Sequence, residues 1–183
     1  MIINYKIDLL TDWHVGSGLD SGADADLLVL KDERNLPYIP GKTVKGLLKD
    51  SLYEICKVTN AVDEDKVNEV FGFEVDNNKT TEGKTFFSNA ELTEGEKQEI
   101  SANSLSSFLY KNISSTKIES NGIAKKGSLR TIQVCIPVSL YGTINIESEK
   151  AGDIFTAAFK WTRNLGVNRN RGLGRCKFIL ISE

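Results

Sequence analysis

The chain has 183 residues, with 23 Lys/Arg against 25 Asp/Glu and a net charge of −2. That length suits one domain able to bury about 70 % of its unfolded surface, and the charge balance excludes a uniformly polycationic binder. Cys56, Cys135 and Cys176 are far apart and His14 is the single histidine, which argues against a disulfide framework and against a Cys/His zinc site. No apolar run approaches transmembrane length and the first residues lack a signal-peptide layout, so a reduced, cytoplasmic protein without a membrane partner is expected.

Residues 2–10 alternate, Ile3, Tyr5, Ile7 and Leu9 against Asn4, Lys6 and Asp8, which predicts a half-buried strand. Residues 11–26, with glycines and small polar side chains, read as a long irregular loop, and long loops in compact domains are often functional. Leu27 to Leu30 is a short apolar run, and Pro37-Tyr38-Ile39-Pro40-Gly41 is a rigid turn. A helix is expected over 43–56, with Val44, Leu47, Leu48, Leu52, Ile55 and Cys56 at helical spacing. Residues 62–73 read as a short acidic helix or loop, 84–92 as a strand, and 94–111 as a helix weakened by its serines. Residues 113–126 are polar, without a clear period. Residues 129–146 form one long strand-like region, with a bulge or bend suggested at Pro137 and Gly142. Ser148 can cap a helix running to about residue 163, with Ile154, Phe155, Ala158 and Trp161 inward. A final strand follows from Lys177. The order is βαββαβ, an α+β ferredoxin-like (RRM-like) fold in one domain over 1–183, with insertions at about 60–84 and 93–128.

Charge is segregated along the chain. Residues 63–76 carry six acids against one lysine, whereas residues 111–130 carry five Lys/Arg against one glutamate, Arg130 among them. Residues 154–182 hold six Lys/Arg and no acid. Such segregation is compatible with one basic and one acidic face. Within the last segment Asn168, Arg169, Arg171, Gly172, Gly174 and Arg175 alternate guanidinium forks with residues that allow close backbone approach, a pattern suited to a polyanion. Lys42, Thr43, Lys45 and Lys49 open the first helix, where lysines oppose the macrodipole unless an anion binds there. Taken alone, each of these stretches reads equally well or better as a solvated surface.

Four stretches in order carry a resemblance: His14-Val15-Gly16-Ser17-Gly18 after the first strand; Asp26-Leu27-Leu28-Val29-Leu30-Lys31-Asp32; Leu36-Pro37-Tyr38-Ile39-Pro40-Gly41-Lys42-Thr43-Val44-Lys45-Gly46; and Arg171-Gly172-Leu173-Gly174-Arg175. Phe87-Ser88-Asn89-Ala90 and Gly122-Ile123-Ala124 add a weaker middle. The series resembles the RAMP superfamily of CRISPR-associated proteins, and within it the backbone subunits of type III CRISPR effector complexes, ribonucleoprotein machines of antiviral defence. The resemblance implies copies stacked head to tail along a CRISPR RNA beside other effector subunits. It also implies a thumb within 113–129 that wedges between guide and complementary target RNA, and endoribonuclease cleavage of the paired target with Mg²⁺ or another divalent cation. The cleaving and metal-holding position corresponds to Asp26, with Asp20 and Asp24 as competing assignments. RNA contacts are implied for His14, Lys42, Thr43, Lys45, Lys49, Arg130, Asn168, Arg169, Arg171, Gly172, Gly174 and Arg175.

Alternative readings stay open at this point. The same scaffold without catalysis would bind RNA only. A neighbouring RAMP branch processes CRISPR repeats without metal, often with a histidine, for which His14 is the candidate. A ferredoxin-like domain binding a small anion or a protein is a third. The plain reading of Asp26 is a turn or strand-start aspartate bonded to nearby backbone.

Overall fold

The alternation at the start of the chain becomes strand β1 (Ile2–Leu9), whose Ile3, Tyr5, Ile7 and Leu9 are buried while the residues between them are half-buried. The structure, a computed structural model, describes residues 1–16, 18, 26–59, 61–76, 79–147 and 152–181. The helix at the Pro-Tyr-Ile-Pro-Gly turn is α1 (Gly41–Thr59), burying Val44, Leu48, Leu52 and Ile55 at the expected spacing. There follow α2 (Glu64–Phe71), a short pair β2 (Glu74–Asp76) and β3 (Lys79–Thr80), and β4 (Thr85–Phe87). Next come α3 (Glu94–Ala102), β5 (Tyr110–Ser115), β6 (Arg130–Cys135), β7 (Ser139–Ile146), α4 (Gly152–Trp161) and β8 (Cys176–Ile181).

One antiparallel sheet has the order β4-β7-β1-β8. With α1 and α4 as the two crossing helices, this is the ferredoxin-like βαββαβ arrangement. The core lies between sheet and helices. Tyr5 packs against Phe159 and Phe178, and Phe155 joins Phe71 and Phe159, with ring centroids 5.4–6.5 Å apart across the set. Tyr5 lies opposite Gly142 in the register, and its phenol ring occupies the space a Gly142 side chain would need. Gly142 is therefore a seat for Tyr5 rather than a bend in the strand.

Three elements differ from the sequence reading. The strand-like region 129–146 is two strands with different partners: β6 pairs with β5, and β7 with β1 and β4. The break falls at Pro137, which has no N–H for either ladder. The helix expected over 94–111 stops at Ala102, after a capping box from Thr93 and Glu96, because Ser104 takes a left-handed conformation. A 3-10 turn over Ser106–Leu109 leads into β5 instead. In α4 the inward residues are Ile154, Phe155, Ala158 and Phe159; Trp161 is 39 % exposed and its indole N–H donates to Glu54 Oε2 at 2.9 Å. Ser148, expected to cap α4, lies outside the described residues.

Cys56, Cys135 and Cys176 are free thiols. Cys135 and Cys176 are buried, and burial pushes both thiols up to about 12. Iodoacetamide at pH 8 is expected to leave both unmodified in the folded protein, which mass spectrometry checks directly. Modification of either without prior unfolding would contradict this packing.

Candidate nucleic-acid interface

The β5–β6 hairpin stands outside the main sheet. Its register runs from Tyr110↔Cys135 to Ser115↔Arg130, and beyond it residues 116–129 continue as a narrower finger closed by Lys125 N to Lys117 O and Glu119 N to Ile123 O, both at 2.8–2.9 Å. Nearly every residue of the finger is exposed. No apolar core holds it; it is fixed at its root. Trp13 exchanges backbone bonds with Cys135, and its indole N–H reaches Ile136 O at 3.0 Å. Leu27 O accepts from Gln133 N at 2.9 Å.

Between this finger and the loop before β8 lies a groove of about 690 Å³. Lys117, Lys125, Lys126 and Arg130 line it from the hairpin, and Arg171 from the loop. Among the described residues, none of the five enters an ion pair and no carboxylate lines the groove. Ser115, Thr116 and Ser128 supply hydroxyls. Five unpaired cations along an open channel make a site for a polyanion backbone.

The glycine-rich loop is built to hold Arg171 there. Asn168 and Gly172, both left-handed, bracket a 3-10 turn over Arg169–Arg171. Gly166 and Gly174 also have positive φ, and a Cβ on either would overlap a carbonyl oxygen, that of His14 or of Leu165. The loop is sewn to the segment after β1: Val167 N donates to His14 O at 3.1 Å, Gly174 N to Asp12 O at 2.7 Å, and Arg175 N to Thr11 Oγ1 at 3.0 Å. The backbone N–H groups of Val167, Gly174 and Arg175 are thus engaged within the fold. Gly172 is exposed, with open space where its Cβ would be. Asn168, Arg169 and Arg175 are exposed as well.

The other candidate residues are dispersed. Arg169 lines not the groove but a recess with Asp50, Tyr53, Glu54, Lys57 and Glu64. Lys42 is exposed and Thr43 half-buried, with Thr43 N donating to Pro40 O at 2.8 Å. Gly41 N, the first N–H of α1, donates to Asn89 Oδ1 at 3.1 Å. Lys45 is partly buried, and that burial, with Lys49 beside it, lowers its pKa. Lys49 donates to Gly72 O at 2.6 Å. No hydrogen bond or ion pair joins these lysines to the arginine loop among the described residues.

His14 is 1 % exposed, and its Nδ1 donates to Gln133 O at 2.6 Å. It links loop and hairpin from inside. Asp26 is exposed at the hairpin root: its N donates to Thr131 O at 2.8 Å, and its Oδ2 accepts from Thr131 N at 2.7 Å. The carboxylate therefore sits one residue from Arg130 of the groove. Its Oδ1 has no partner among the described residues, and no cluster of three metal-ligating side chains occurs among them. Asp20 and Asp24 lie outside the described residues.

A family model described as the RAMP superfamily matches residues 6–177. The chain belongs to the RAMP superfamily. Among solved structures this RAMP chain is similar to a chain of the type III-B Cmr-beta complex bound to cognate target RNA, at TM-score 0.77 and 12 % identity, covering 98 % of this chain and 97 % of that one. It is similar also to a chain of the apo Cmr-beta complex, at TM-score 0.75 and 13 % identity, covering 100 % and 98 %. At such identities the likeness is one of fold. No curated protein matches in sequence.

Lys117, Lys125 and Lys126 are the groove cations of this RAMP protein that the sequence did not single out. The charge count over 111–130 contained the signal, but a count does not say which lysines share a face. The hairpin decides that, since Lys117 and Lys125 are brought together only by its closure.

Proposed function

We propose that this RAMP protein is an RNA-binding subunit of a type III CRISPR effector complex, holding CRISPR RNA and its complementary target beside other copies of itself and other effector subunits. The observation that carries the reading is the groove of Lys117, Lys125, Lys126, Arg130 and Arg171, lined by no carboxylate among the described residues. The Cmr-beta chain of the same fold comes from a complex bound to target RNA, which supports the assignment of ligand. The hairpin finger corresponds to the proposed thumb. No helix is long and apolar enough to cross a membrane among the described residues.

The finer part of the proposal is cleavage of guide-paired RNA at Asp26 with a divalent metal. One carboxylate oxygen is oriented by Thr131 N, and the other, without a partner among the described residues, would take the metal. A single protein oxygen suits hydrated Mg²⁺, which takes few protein ligands and completes its shell with water and phosphate oxygens. Bound there, the ion would neutralise charge developing on the scissile phosphate. RNA carries its own nucleophile in the 2′-OH, so the chain's task is alignment: the groove cations grip the phosphates on either side and the finger fixes the strand. The buried His14, engaged with Gln133, is poorly suited to the acid–base role that metal-independent repeat processing would require.

The test is cleavage of guide-complementary RNA by the assembled complex, wild type against Asp26→Asn, each with Mg²⁺ and with EDTA. Loss in the variant and in EDTA, with guide still bound, is expected. Cleavage surviving both treatments would remove Asp26 and the metal. No cleavage by the wild type, with guide bound, would leave a non-catalytic RNA-binding subunit.

A further inference from the structure

The bonds that root the hairpin fall on alternate residues of one edge of β6. Cys135 pairs with Trp13, Gln133 with His14 and Leu27, and Thr131 with Asp26. The opposite edge of β6 is occupied by β5. Trp13, His14, Asp26 and Leu27 thus act as irregular strand partners along this edge of the hairpin, including a parallel bridge between Leu27 and Ile132. At its outermost rung a side chain substitutes for the main chain: Thr131 N is taken by the Asp26 carboxylate rather than by a backbone carbonyl. The next residue outward is Arg130, the first cation of the groove.

We infer that Asp26 is a positioning residue for the groove, clamping the start of β6 so that Arg130 faces Arg171 across the channel. This role is separate from catalysis and rests on the RNA-binding reading only for its functional consequence. An N–H at a strand edge that loses its acceptor turns to water, and the two-stranded ribbon beyond it has no core to keep its register. Removal of the carboxylate leaves only the Asp26 N to Thr131 O bond on this rung and therefore loosens Arg130 and the finger while the main sheet stays intact. The clamp needs an oxygen acceptor but not a charge. Asparagine keeps it and alanine does not, whereas metal-dependent chemistry at this carboxylate is impaired by both.

The experiment uses the full chain as wild type, Asp26→Asn and Asp26→Ala, with two readouts: amide hydrogen exchange at Thr131, and affinity for a single-stranded RNA at fixed salt. Protection of Thr131 is expected to persist in Asp26→Asn and to vanish in Asp26→Ala. RNA affinity is expected to fall about fivefold in Asp26→Ala, with a salt slope shallower by about 0.7, one phosphate contact. In Asp26→Asn the affinity stays near that of the wild type. Unchanged Thr131 protection in Asp26→Ala would overturn the clamp. So would affinity lost equally in both variants, since that marks a role for the charge. If the wild type fails to bind RNA, the RNA reading falls, and the exchange readout alone still decides the clamp.

Discussion

Gly174→Ala is expected to lower the stability of the folded protein by about 4 kcal/mol, read as a shift in the urea midpoint at constant slope. Two costs combine. The φ of +69° disfavours any L side chain, at about 1–2 kcal/mol, and the new methyl group would overlap the Leu165 carbonyl oxygen, which is backbone and cannot turn aside. Relief requires the loop to part from Asp12, to which Gly174 N donates at 2.7 Å. Gly166→Ala, facing the His14 carbonyl, is expected to behave similarly. Gly172→Ala is the control: φ is +86°, but nothing lies near its Cβ, so only the backbone strain of about 1 kcal/mol remains. Equal effects at Gly172 and Gly174 would mean that this loop is not packed as described.

Arg171→Ala is expected to weaken binding of single-stranded RNA about fivefold at 0.1 M salt, whatever the RNA sequence. The figure follows from about 0.7 counterions released per phosphate contact, each favoured by the dilution from the 1 M reference. Indifference to sequence follows because phosphate contacts carry no base information. Arg130→Ala should match it from the other side of the groove. Arg169→Ala, which the sequence places on a par with Arg171→Ala, is expected to change affinity less than about twofold, because Asp50, Glu54 and Glu64 share its recess and already offset its charge. Competition or direct titration with unrelated RNAs checks all three. A larger loss at Arg169 than at Arg171 would move the RNA path to the α1 side of the loop.

The contrast between those two arginines shows where sequence reading stops. Asn168 to Arg175 was legible as an arginine-rich loop, but a 3-10 turn sends Arg169 and Arg171 to recesses of opposite character. The main fold was legible because β1 alternates cleanly and α1 repeats its apolar residues every three or four positions, both consequences of burying one face. The finger over 116–129 was not, because nearly all of its residues are exposed and burial imposes no period on it. β6 and β7 merged for the opposite reason: Ile132, Val134, Ile136, Val138 and Leu140 continue one alternation through Pro137, although the two strands serve different sheets. His14 and Asp26 were found by motif, but what they touch was not. Gln133 and Thr131, their partners, lie more than 100 residues away and follow only from the fold.

The most direct test of the central claim is the salt dependence of RNA binding. The affinity of the wild-type chain for a single-stranded RNA is measured from low to moderate salt, beside a variant carrying Lys125→Ala, Lys126→Ala, Arg130→Ala and Arg171→Ala. With five groove cations on phosphates, log K should fall against log salt with a slope near about −3.5, and the variant, keeping Lys117 alone, should retain about −0.7. A wild-type slope near zero, or one that the four substitutions leave unchanged, would show that this groove is not where the protein meets RNA.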